Sequence, residues 1–201
     1  MEKQQKLVPA AAVKGVASGL YMMAVFTLVW TGIAYQGLRG SAYALVLVVF
    51  VVFAVTFIVK GSAIYKLAKL FPGIESEEEK AEEKRMSKWF AIIFGAEGLL
   101  IFIAANVVIN LKHPELVIPA IALVVGLHFF PLARVFKRTV DYYLATWSTI
   151  IAVAAIVMSL EKALSESGIL AFTGIGLAVA TSCYGFFMMN NGSKLSKTVA
   201  A

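Results

Sequence analysis

The sequence predicts an all-α protein: a polytopic membrane bundle of six transmembrane helices arranged as three hairpins. Three observations carry that expectation. Of its 201 residues, 60% are hydrophobic and only 15% charged, against about 45–50% and about 25% in an average soluble domain. The apolar residues gather into six runs, at about 16–36, 43–71, 89–110, 116–136, 142–160 and 168–189. Each is near the ~20 residues that a helix rising ~1.5 Å per residue needs to cross a ~30 Å hydrocarbon core. Third, the basic residues are sorted by side. The tails, the second and fourth connections and the inner halves of the spans that lead into them hold all 18 Lys and Arg except Arg39, Lys112 and Lys162. By the positive-inside rule both termini face the cytoplasm, as expected of a protein of the cytoplasmic membrane. The net charge of +6 is then a topological signal that meets lipid headgroups, and no nucleic-acid partner is implied.

The spans can be justified in order. The first is read as retained and not as a signal peptide, because it exceeds a signal's apolar core and Ala10-Ala11-Ala12 precedes it. The second is carried to Phe71 by an internal similarity. Residues 61–71, GSAIYKLAKLF, match 126–136, GLHFFPLARVF, and ASGL at 17–20 matches AEGL at 96–99. The first two hairpins therefore read as a parallel repeat, an arrangement known among transporters. Lys60 then falls within the inner half of the membrane. Pro72 and Gly73 stop the second helix, and the charged 72–88 linker follows. There Ser76 suits a helix cap with Glu79, and Glu77/Lys80 and Glu82/Arg85 suit i,i+3 pairs, so a short exposed linker helix is expected. In the fourth span Gly126 permits close helix approach, and Pro131 frees a carbonyl one turn away. The fifth and sixth spans show no convincing match to the repeat. Gly168, Gly174 and Gly176 suit helix packing within or between protomers. Cys183, the only cysteine, is expected as a buried packing residue. Trp30, Tyr35, Trp89, Tyr142 and Tyr143 lie near span ends, where interfacial anchoring is expected.

Polar side chains inside a bilayer are costly and are the default functional candidates. The candidates are Lys60, Glu97, Asn106, His128, Thr181 and Ser182, with Asn110 and Asp141 near the two surfaces. Glu97 is the sharpest, a lone carboxylate inside WFAIIFGAEGLLIFIAANVVI. Spans 3 and 4 turn near His113-Pro114, and Glu97 and His128 stand almost symmetrically about that turn, so both fall at one depth in the inner half. Their helix rotation is left open by sequence. A carboxylate beside an imidazole can share a proton, or it can simply tie two helices together. The substrate or proton site is therefore assigned to Glu97, His128, Lys60 and Asn106, with Gly126 and Pro131 shaping the helix beside it.

The stretch FGAEGLLIFIAANVV followed by PAIALVVGLHFFPLARVF resembles a family of small multi-pass bacterial membrane proteins. Glu97, Pro119, Gly126, His128 and Pro131 are the matching positions, over about a quarter of the chain. The resemblance implies a six-helix bundle in the cytoplasmic membrane and no particular activity.

Other chemistries find no support in the residues. Two histidines and one cysteine make a zinc site implausible, and His113 sits in an outer loop, where it cannot pair with His128 around a haem. No phosphate-binding glycine loop, nucleophile elbow or voltage-sensor helix is present. No metal and no cofactor is expected. The leading expectation is a non-enzymatic transporter or channel for a small solute, ion or proton, single or as a homo-oligomer. The alternative is a membrane sensor or assembly partner acting through 72–88. An intramembrane lipid-acting enzyme ranks third, since no nucleophile–base pair is visible.

Overall fold

A computed structural model describes residues 9–73 and 76–200, with the side chains of 193–200 outside the description. Lys3 and Lys6, and the side chains of Lys194 and Lys197, therefore lie outside the described residues. Six helices carry the chain: α1 (Ala10–Leu38), α2 (Val48–Leu67), α3 (Glu77–Asn110), α4 (Val117–Phe136), α5 (Thr139–Leu160) and α6 (Glu166–Ala200). Short 3-10 turns at Ala42–Leu47, Ala68–Leu70 and Pro114–Leu116 lead into or out of them. All six are long and apolar enough to span a membrane, so this is a multi-pass bundle in which lipid is the solvent of the outer faces. Val48, Val52, Val55 and Val59 on α2 and Leu99, Phe102 and Ile103 on α3 are exposed accordingly.

The centre of the bundle is the pair α1 and α6. Helix α2 packs on both, α5 packs on α6, α4 on α5, and α3 on α4. Small residues bring the central pair together. A Cβ at Gly174 would strike the backbone of Trp30 and Ala34, and one at Gly37 that of Ser167 and Ala171. Without a hydrophobic force between helices in lipid, such close approach supplies the packing energy. A hydroxyl contact, Thr27 Oγ1 donating to Thr181 Oγ1 at 2.9 Å, crosses the same interface. Gly176 is filled by Ile151 and Gly168 meets its own turn at Leu164 and Ser165, so these glycines pack within the protomer. Helix α6 has 67% of its most apolar stretch buried and α3 only 11%. Helix α3 is thus an outlying rod held on one side.

Several turns close in one way. Lys112, Lys137 and Lys162 follow α3, α4 and α5 with φ of 65°, 53° and 53°. After α3, Lys112 N–H donates to Ile109 and His113 N–H to Val108; after α5, Lys162 and Ala163 do the same to Ser159 and Met158. This is the left-handed cap that glycine usually fills. Here lysine fills it, and its charge sits beside the helix carboxyl end.

Some sequence expectations are sharpened or corrected. Helix α2 and its 3-10 turn reach Leu70, as the repeat suggested, and Phe71 caps the end. Matching positions of the repeat share burial in α2 and α4: Gly61 with Gly126, Ile64 with Phe129, Ala68 with Ala133. The other half does not match, since Ala17 and Leu20 are fully buried whereas Leu99 is 60% exposed. The linker is not a separate short helix. Ser76 caps Glu79 N–H at 3.2 Å as expected, Glu77 pairs with Lys80 and Glu82 with Arg85, and the helix then runs unbroken to Asn110. No proline interrupts it at the Lys88/Trp89 seam. Cys183 is exposed on the outer side of α6, because Thr181, Ser182 and Tyr184 take the inward positions. Trp30 is a core residue, 4% exposed, and not an interfacial anchor.

Candidate site between α3 and α4

Helix α3 turns one face to α4: Phe90, Ile93, Phe94 and Glu97, spaced at i, i+3, i+4 and i+7. Ile93 is its only buried hydrophobic residue. From α4, Phe129, Leu132 and Phe136 meet that face and belong to the same apolar cluster. The rings of Phe90 and Phe136 stand 6.0 Å apart.

Glu97 and His128 meet within this contact. Glu97 Oε1 lies 3.2 Å from His128 Nδ1, with side-chain exposures of 11% and 9%. The imidazole is held between two aromatic rings, Phe94 edge-on at 5.6 Å and Phe129 tilted at 4.2 Å. Its Nδ1 also lies 2.5 Å from the Val125 carbonyl. A carbonyl only accepts, so Nδ1 carries the hydrogen and Glu97 is its second acceptor. The neutral ring keeps its basic lone pair on Nε2. The remaining question of the sequence, whether these helices rotate the two groups toward each other, is answered by the geometry: they do.

The other assigned residues stand apart from this pair. Asn106 is nine residues beyond Glu97, off the α4-facing stripe and exposed; its amide donates to the Phe102 carbonyl. Together with Phe102, Ile103, Val107, Asn110 and Leu111 it lines a shallow open groove on the outer face of α3. Lys60 is exposed on α2, a helix that packs on α1 and α6. The four residues therefore do not form one cluster. Gly126 does what its sequence context suggested, letting α4 approach Ser148 and Thr149 of α5. Pro131 lies on the exposed side of α4 with Leu127 and Arg134. The carbonyl it frees is that of Leu127, on the outer face and not toward Glu97.

A second polar group was not assembled from the sequence. Asp141, at the first turn of α5, is fully buried, and Tyr184 of α6 is 8% exposed. Arg138 Nη1 donates to the Tyr184 hydroxyl at 3.0 Å, and its guanidinium lies 4.7 Å above the Phe136 ring. Asp141 and Arg138 are only three residues apart, which was a legible signal; Tyr184, on another helix, was not.

A scan of protein-family models finds none that matches this chain. Comparison with curated proteins and with solved structures likewise finds no match.

Proposed function

We propose that the protein is a proton-linked transporter of a small solute or ion, with Glu97 and His128 as its proton site. The single observation that supports this reading is the buried carboxylate–imidazole contact at 3.2 Å, on a helix that packs chiefly on one neighbour. With one shared proton the pair carries no net charge, whichever residue holds it. Without that proton it carries one negative charge. An uncompensated charge in hydrocarbon is expensive, so the deprotonated pair favours water or a bound cation and the protonated pair favours the closed contact. Helix α3 contributes one buried core residue to that contact, and in lipid no hydrophobic force opposes its parting from α4. Proton occupancy is thereby linked to two positions of α3.

In this reading the end bearing Lys66, Lys69, Arg134, Lys137 and Arg138 faces the cytoplasm, in a bacterial inner membrane. A second reading, a sensor worked through the charged segment, gains from the continuity of Glu77–Asn110. A partner drawing on residues 77–88 would move Glu97 with them. Proton flux separates the two. Proteoliposomes holding a pH-sensitive dye should show flux with the wild-type chain under an imposed gradient, and lose it in both Glu97→Gln and His128→Ala. Equal flux in all three proteins removes the proton-site reading.

A further inference from the structure

Asp141 is the only aspartate in the sequence and takes no part in the Glu97/His128 pair. It is the third residue of α5. Its side chain is fully buried; the Tyr184 hydroxyl stands beside the carboxylate, but not in a geometry that completes a hydrogen bond to either oxygen. The Tyr184 hydroxyl and the Arg138 charge both act on it. Tyr184 accepts from Arg138, which leaves its own hydrogen available to the carboxylate.

The surroundings add an unpartnered oxygen. Trp147 Nε1 donates to the Gly176 carbonyl at 2.9 Å and fixes the register of α5 against α6. Six residues further toward the basic end, on each helix, lie Asp141 and Ser182. The buried Ser182 hydroxyl has no hydrogen-bond partner either among the described residues. Buried polar groups are nearly always paired, and a fully buried carboxylate without a completed bond calls for an explanation. A helix-capping role for Asp141 would have its carboxylate accept an N–H of the first turn, and no such bond is made.

The chemistry favours a proton over a metal ion. Only one carboxylate is present, Arg138 already places a cation in the cluster, and the described residues contain no group of three metal-ligating side chains. A proton from hydronium at the basic end makes one O–H bond on the carboxylate and leaves water behind; release reverses both changes. The new O–H is a donor that a lone pair of the neighbouring Tyr184 hydroxyl can accept. We propose that Asp141 is a second exchangeable-proton site, positioned by Tyr184 and Arg138 and separate from Glu97/His128.

The separation can be measured along the helices. Gly126 packs on Thr149, which sets His128 level with Trp147 and places Asp141 about 9 Å nearer the basic end at ~1.5 Å per residue. The proposal does not rest on transport.

Because the aspartate is unique, carboxyl-13C aspartate introduced by cell-free synthesis reports Asp141 alone. Solid-state NMR of the full chain in lipid vesicles should show its signal pass from the acid to the carboxylate position as the buffer is made alkaline. Tyr184→Phe should move the midpoint by about one pH unit, a tenfold change in proton affinity, and Glu97→Gln should leave the titration in place. A signal fixed in one form throughout overturns the proposal. So does one that responds to sodium at constant pH, a midpoint unmoved by Tyr184→Phe, or a titration abolished by Glu97→Gln.

Discussion

His128 Nδ1 faces two acceptors at once, the Val125 carbonyl at 2.5 Å and Glu97 Oε1 at 3.2 Å. The nearer one is backbone of the same helix, so the tautomer of His128 is set by α4 itself and not by Glu97. In 15N-histidine-labelled protein, with His113 replaced to leave one signal, the neutral ring should show its hydrogen on Nδ1. It should stay there in Glu97→Gln. A neutral ring protonated on Nε2 in either protein would mean that the Val125 contact does not hold.

The close contact of α1 and α6 gives a stability prediction. A Cβ at Gly174 meets the backbone of Trp30 and Ala34, which cannot rotate away, whereas one at Gly32 meets nothing. Gly174→Ala should therefore destabilise the bundle by about 1–3 kcal/mol, the usual cost of overpacking. Gly32→Ala should stabilise it by about 0.5–1 kcal/mol, the entropic cost of a glycine within a helix. Thermal unfolding in detergent compares them, and equal midpoints would contradict the packing described.

The lysine caps point the other way. At Lys162, φ is 53°, a conformation costing about 1–2 kcal/mol for a residue with a Cβ. Lys162→Gly removes that cost but adds ~0.5–1 kcal/mol of backbone entropy. The expected outcome is a gain of about 0.5–1 kcal/mol in the same unfolding assay. A loss would show that the lysine charge at the helix end outweighs the strain.

Much of this molecule was legible in its sequence because the bilayer fixes helix length and penalises polar atoms. Six apolar runs became six helices, and the near-symmetric placing of Glu97 and His128 about the His113-Pro114 turn set their common depth. Rotation was the missing quantity. It is decided by which neighbour each helix finds, and α3 packs chiefly on α4. Hence Asn106, in the same apolar run as Glu97, ends on the outer face. The repeat carried burial in one half only, for a related reason: ASGL lies in the central helix α1 and AEGL in the outermost one, so similar residues meet different surroundings. Tyr184, Arg138 and Asp141 come from two helices and the turn before one of them, and periodicity says nothing about such a meeting. Cys183 fell outward because its neighbours Ser182 and Tyr184 claimed the interior.

In the proposed function, protons reach Glu97 and His128 only when α3 parts from α4. A reversible lock across that contact tests it most directly. Phe90→Cys with Phe136→Cys, made in a Cys183→Ala background and bridged by a short reducible bis-thiosulfonate, spans the place where two rings now stand 6.0 Å apart. With the bridge formed, proton flux in proteoliposomes should fall to that of protein-free vesicles and return on reduction. Undiminished flux through fully cross-linked protein would contradict the account.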